Sequence, residues 1–169
     1  EDVEAIRAFC PVYVTDVVSV DSALQMILDL SSLCRLEVEG ERLETEIRAS
    51  LSGIFPLDRR AAYLIWKDPW MAVGGDTFIH HMMAAAGIRN VFTEKLRYPV
   101  VTTDELAASG AELILLSSEP YPFKTKHIEE LSAVLPEQKI LSVDGEMFSW
   151  YGSRMRHFAA YIKSLHPTP

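Results

Sequence analysis

"AAYLIWKDPWMAVGGDTFIHHMMAAAGIRNVF", Ala61 to Phe92, decides the fold. An apolar run closes on Trp66, and Lys67, Asp68 and Pro69 interrupt it. Apolar residues return at helical spacing from Thr77 to Ala86, and the short run "NVF" follows Gly87. A brief apolar run bounded by turn residues reads as a buried strand, and a 3.6-residue period as an amphipathic helix. The stretch is therefore a strand–loop–helix–strand unit.

The alternation continues downstream. "TDELAAS" reads as a small helix, "ELILLSS" as a strand, "KTKHIEELSAVL" as a helix and "KILSVDG" as a strand. A terminal helix is expected from Phe148 to Leu165, with Tyr151, Met155, Phe158, Ile162 and Leu165 as its packing stripe. Strands alternating with helices imply right-handed crossovers, so the expected fold is α/β: a doubly wound, mostly parallel sheet forming one Rossmann-like lobe.

Upstream, residues 3 to 9 read as a short helix and "PVYVTD" (11–16) as a strand. A helix follows to about Leu33, capped by Asp21 or Ser22. Leu43, Ile47, Leu51 and Ile54 continue at helical spacing up to Pro56, as a second helix or as one long helix interrupted near Gly40.

The chain has 169 residues, 49% hydrophobic and 24% charged, enough for one respectable core. A net charge of −8 argues against nucleic acid, whose binding rests on Lys and Arg neutralising phosphates. No apolar run approaches the ~20 residues of a transmembrane segment. The chain opens on Glu1, so the absence of a signal segment decides nothing about destination. Cys10 and Cys34 lack CxxC spacing and read as buried free thiols, with their redox state left open.

In open α/β sheets ligands sit beyond the carboxyl ends of the strands. Three loops gather there: "KDPWMAVGGDT", "SSEPYPFKT" and "DGEMFSWYGSR". With the adjoining Trp66 they supply Trp70, Met71, Tyr121, Phe123, Met147, Phe148, Trp150 and Tyr151, including all three tryptophans of the chain. Singly, each aromatic reads as a cap on the core; as a set they suit a large, flat, partly apolar ligand. Arg154 is the cation nearest this group, placed to meet an anionic ligand group, to stack on a ring or to form a surface ion pair.

"GGDT" lacks GxGxxG and GxxxxGK[ST], so Gly74 and Gly75 are expected to make a tight turn and Asp76 to cap the next helix. His80 and His81 diverge by about 100° on a helix. Neither they nor His127, His157 and His166 have ligand partners at metal spacing, and all five read as structural. Ser117, Ser118 and Ser142 lie at strand ends without a GxSxG elbow. Glu119 and Glu146 fall in carboxyl-end loops and offer a general acid–base pair, which keeps an enzyme or cofactor-handling domain as an alternative. A protein-interaction domain built on the same aromatics is a further one.

The ordered set "YLIWKDPWMAVGGDTFIHHMMAAAGIRNVF", "VTTDELAASGAELILLSSEPYPF" and "VDGEMFSWYGSRM" resembles the C-terminal lobe of the substrate-binding proteins of cobalamin and ferric-siderophore ABC importers, the helical-backbone, class III type. Gly75, Asp76 and Thr77 with "AAGIRN" match that family's run of turn, helix and "AGG-x-N". The resemblance implies two α/β lobes joined by a helical backbone, with the ligand between them. Residues 1–20 would be the remnant of an N-terminal lobe that is otherwise largely missing, 21–56 the backbone region and 57–169 the C-terminal lobe.

It further implies a non-enzymatic protein without intrinsic cofactor, outside the cytoplasm, and a monomer when both lobes are present. Such a protein binds a corrinoid, ferric siderophore or haem and delivers it to an ABC permease. The implied ligand wall is Trp66, Trp70, Met71, Glu119, Tyr121, Phe123, Glu146, Trp150, Tyr151 and Arg154. Asp104, with Glu105 beside it, matches the family's acidic permease-docking position, although that position usually holds glutamate. The same two acids are also suited simply to a helix N-terminus.

Overall fold

The computed structural model describes residues 2–165; His166 lies outside them. Helix α1 (Asp2–Arg7) buries none of its residues. The next segment, 8–18, runs without a ladder, so the strand expected at "PVYVTD" is not formed. A strand needs a neighbour for its backbone N–H and C=O groups, and none of the described elements pairs with these residues.

Helix α2 (Val20–Cys34) begins two or three residues before the expected start because Ser19, not Asp21 or Ser22, is its cap. Ser19 Oγ accepts the Ser22 N–H at 3.1 Å while Ser22 Oγ accepts the Ser19 N–H at 2.9 Å, a reciprocal capping box. The helix ends at Arg35, which takes a left-handed φ of 58°; its N–H reaches Ser32 O at 3.1 Å and Leu36 N–H reaches Ser31 O at 2.8 Å. The break therefore lies at Arg35 and not near Gly40.

Gly40 sits inside α3 (Glu37–Ser52) and is buried. A Cβ there would come within 2.2 Å of Ser31 Oγ, so glycine is what lets α3 fold back closely on α2. The result is a helical hairpin rather than one long helix.

The sheet contains β1 (Arg59–Trp66), β2 (Met71–Ala72), β3 (Ile88–Asn90), β4 (Leu113–Ser117) and β5 (Lys139–Val143). β1 is central: β4 lies parallel on one side and carries β5, while β3, parallel, and β2, antiparallel, share its other side. β2 was not expected. It turns back so that Met71 pairs with Trp66 and Ala72 with Leu64. β3 begins two residues before the expected "NVF", because its ladder to Arg59–Ala61 closes at Asn90. The Asn90 amide there donates to Val73 O at 2.9 Å and its Oδ1 accepts the Phe92 N–H at 3.0 Å, which turns the chain out of the sheet.

Alternation along the strands feeds two cores. Ala61, Tyr63, Ile65, Leu115 and Val143 pack with α2, α3, α4 (Phe78–Ala85) and the C-terminal helices. Ala62, Leu64, Ile114, Leu116 and Ile140 pack with α5 (Thr103–Ala108) and α6 (Thr125–Val134). Helices cover both faces, as expected for a doubly wound sheet.

The terminal helix is not continuous. It divides into α7 (Gly145–Ser149), a 3-10 turn (Ser153–His157) and α8 (Phe158–Leu165). Asp144 caps α7 by accepting the Glu146 N–H at 3.0 Å. Trp150 then leaves the helix in an extended conformation and Gly152 turns the chain with φ 99°. Phe148, Met155, Phe158 and Ile162 are buried, so most of the packing stripe survives the interruption, while Tyr151 is displaced to the surface. Cys10 and Cys34 are free thiols but exposed, since α1 is uncovered and Cys34 ends α2 at the hairpin tip.

Candidate functional site: an aromatic edge on the sheet

β1, β4 and β5 run parallel, so the segments leaving Trp66, Ser117 and Val143 emerge at one edge. Trp66 ends β1 and is 40% exposed. Its ring meets Tyr121 edge-on at 5.4 Å, Tyr121 lies 4.7 Å from Phe123, and Phe123 stacks on Trp70 at 6.0 Å with 7° between planes. Four expected wall residues thus form one chain of ring contacts. Trp70 and Phe123 are half-buried against the core beneath α5 and α6. Trp66 and Tyr121 form the outer part.

Trp150 and Tyr151 form a second patch, 52% and 43% exposed. Tyr151 meets the buried Phe78 edge-on at 5.6 Å. Trp150 donates its indole N–H to Glu119 Oε1 at 2.7 Å, and Ser149 donates its hydroxyl to the same oxygen at 2.8 Å. Ser118 Oγ accepts the Gly145 N–H at 2.9 Å. These bonds tie the loop after β4 to the loop after β5, and Glu119 is the link between the two patches.

The charges are largely paired within the wall. Arg154 bridges to Glu146 at 2.6 Å and Asp144 at 3.4 Å, with its guanidinium 5.9 Å from the Trp150 ring. Lys67 pairs with Glu130 and lies 5.3 Å from the Trp70 ring. The Glu130 carboxylate raises the Lys67 ammonium above its ordinary pKa. Glu119 and Glu146 are bound to different partners, Ser149 and Trp150 for one and Arg154 for the other, so both carboxylates are engaged in holding the loops together. Met71 packs half-buried toward the core and contributes little open surface.

Asp104 and Glu105 occupy the first turn of α5. The Val101 N–H bonds Trp70 O at 3.0 Å, which puts this helix start beside the aromatic edge. Glu105 closes a capping box with Thr102 and pairs with Lys95 at 2.9 Å; the Lys95 ammonium and the Thr102 N–H hold its carboxyl below the usual range. Asp104 is exposed.

Asp76 does not cap α4. Thr77 does, accepting the His80 N–H at 3.2 Å, and Asp76 instead accepts the Arg97 N–H from the facing loop. Gly74 and Gly75 serve close approach more than a turn: their N–H groups bond Arg97 O and Lys95 O, each at 2.8 Å. A Cβ on Gly75 would fall 2.0 Å from Thr93 O.

His127, Ser149, Asp144 and Lys67 take part in the edge without having been expected there. The spacing Lys124-x-x-His127 at a helix start, with histidine where a capping glutamate or glutamine is usual, is the one sequence signal that pointed to His127. Among the described residues no three His, Cys, Asp or Glu side chains gather into a metal-holding group.

No family model matches the chain, and no curated protein matches it by sequence. Solved structures do match its fold. A possible iron-binding periplasmic solute-binding protein from Staphylococcus epidermidis superposes with a TM-score of 0.75 at 16% identity, covering 97% of this chain and 67% of its own. The periplasmic haem-binding protein BhuT, solved with two haems, gives 0.74 at 18% identity, covering 98% and 68%. The periplasmic vitamin B12-binding protein BtuF of Vibrio cholerae gives 0.67 at 12% identity, covering 96% and 68%. The chain spans about two-thirds of the length of each of these three, and its fold is the one they share as periplasmic binding proteins.

Proposed function

We propose that this chain forms the aromatic wall of a substrate-binding protein that takes up a metal chelate outside the cytoplasm and hands it to an ABC permease. The observation that carries this reading is the aromatic edge: none of Trp66, Trp70, Tyr121, Phe123, Trp150 and Tyr151 is fully buried, and all lie at the carboxyl end of one sheet. Rings fixed by mutual contact lose little freedom on binding and offer flat apolar area to a macrocycle or an aromatic chelator. The ligand class is a corrinoid, a ferric siderophore or haem, as in the proteins that share the fold. The engagement of Glu119 and Glu146 in holding the loops together supports a binder over an enzyme. Asp104, exposed at the start of α5, is the proposed permease contact.

The test is a titration with haem, cobalamin and a panel of ferric siderophores, followed by ligand absorbance and by quenching of tryptophan emission. One ligand is expected to saturate. Trp66→Ala and Trp150→Ala should each weaken it about tenfold, equivalent to about 1.4 kcal/mol. Asp104→Ala should leave binding intact and lower permease-dependent uptake. Silence toward every chelate, or affinity untouched by both tryptophan variants, would overturn the reading.

A further inference from the structure

His127 is 3% exposed, yet it belongs to the aromatic edge. Its Nδ1 accepts the Lys124 N–H at 2.9 Å, and its Nε2 faces the Tyr121 hydroxyl at 3.5 Å. The imidazole ring lies 5.5 Å from Tyr121 and 5.6 Å from Phe123. One side chain thus closes the first turn of α6 and supports both rings of the loop after β4. An acceptor at Nδ1 requires the neutral ring with its proton on Nε2.

We infer that His127 is the positioning residue of the Tyr121–Phe123 half of the wall, that it does this only as a neutral imidazole, and that acid therefore releases the loop. A proton on Nδ1 would set two N–H groups against each other. The new charge would also sit in the first turn of a helix, where the dipole favours anions. The charged groups around the ring are mostly of the same sign: Lys124 and Lys126 from α6 and its approach, and Lys67 from the β1–β2 turn. Glu130, the opposing carboxylate, is already bound to Lys67.

Burial first and these lysines second hold the imidazole below its ordinary pKa. The opened loop, with His127 in water, binds a proton near the ordinary value of about 6.5, so the ordered loop keeps its full advantage above that pH. As pH falls from there toward the depressed value, the opened form takes up the proton and the advantage is lost. The inference concerns the loop itself and stands whether or not the wall binds a chelate.

The test uses the ligand-free chain at pH 4.5 to 8. Nitrogen-15 correlation spectra of the imidazoles report the tautomer and titration of His127, and near-ultraviolet circular dichroism reports the packing of Trp66 and Trp70. The expected result is an Nε2–H tautomer at pH 7.5, titration below the free-imidazole value, and a parallel loss of the aromatic dichroism. His127→Gln supplies a carbonyl acceptor at the usual capping-box position and has no proton to gain, so its spectrum should stay ordered and lose the acid step. His127→Ala should show the loosened aromatic spectrum already at pH 7.5. An acid step that persists in His127→Gln would assign the switch elsewhere and overturn the inference. So would titration of His127 at or above the free value.

Discussion

"PVYVTD" (11–16) and "AAYLIW" (61–66) are both apolar-rich six-residue stretches with a tyrosine at the third position. By residue preference the two are comparable: Val12, Tyr13, Val14 and Thr15 favour a strand in the first while Pro11 and Asp16 oppose it, and Tyr63, Ile65 and Trp66 favour one in the second against two mildly unfavourable alanines. Yet only the second is a strand. β1 has ladders on both sides and helices over both faces, and Tyr63 is fully buried, edge-on to Phe148 at 5.2 Å. Tyr13 is 46% exposed and reaches Asp29 at 2.7 Å across open surface. The difference teaches that strand propensity measures fit to a half-buried surface, and counts for little where that surface is missing.

The contrast is sharpest at the two tyrosines. Tyr63→Ala should cost about 3 to 5 kcal/mol in urea unfolding, the range for emptying a large buried aromatic site. A loss below about 1 kcal/mol would mean that β1 is not the centre of the core. Next comes the closure of the sheet beside β1. Gly75→Val should cost about 1 to 3 kcal/mol, because its side chain would be driven into the Thr93 carbonyl. An unchanged denaturation midpoint would show that the 93–97 loop can move aside. The smallest effect is expected at Tyr13→Phe, within about 0.5 kcal/mol, as for exposed sites without a special role. A larger loss would give the 8–18 segment a structural part that its exposure does not suggest.

Most of the architecture was legible because apolar period reports burial, and burial is what a doubly wound sheet distributes. The exceptions have particular causes. The helical hairpin turns at Arg35, a residue that seldom takes the left-handed cap, while the visible glycine five positions later serves close packing instead. The terminal stripe of Met155, Phe158 and Ile162 is preserved across a 3-10 turn, so its spacing concealed the break at Trp150. β2 has two residues and owes its existence to the ladder with β1.

At the edge, the aromatic members were legible as residues at or just after strand ends, Trp66 closing β1 and the others following in loops. Their polar ties were not, because these are a matter of geometry between side chains 8 to 63 positions apart, as in Arg154 with Glu146, Trp150 with Glu119 and Lys67 with Glu130. His127 was read as structural, and it is; its support of Tyr121 and Phe123 becomes visible only once the loop has closed over it.

The shared acceptor at Glu119 bears on how such a wall can change over time or by design. One carboxylate oxygen takes both the Ser149 hydroxyl and the Trp150 indole, so the loop after β4 and the loop after β5 fit each other as a key fits its lock. Transplanting either loop alone into a relative would strand a donor or an acceptor at the junction. Diversification of this surface should therefore proceed by exchanging 118–124 and 144–152 together, as one cassette.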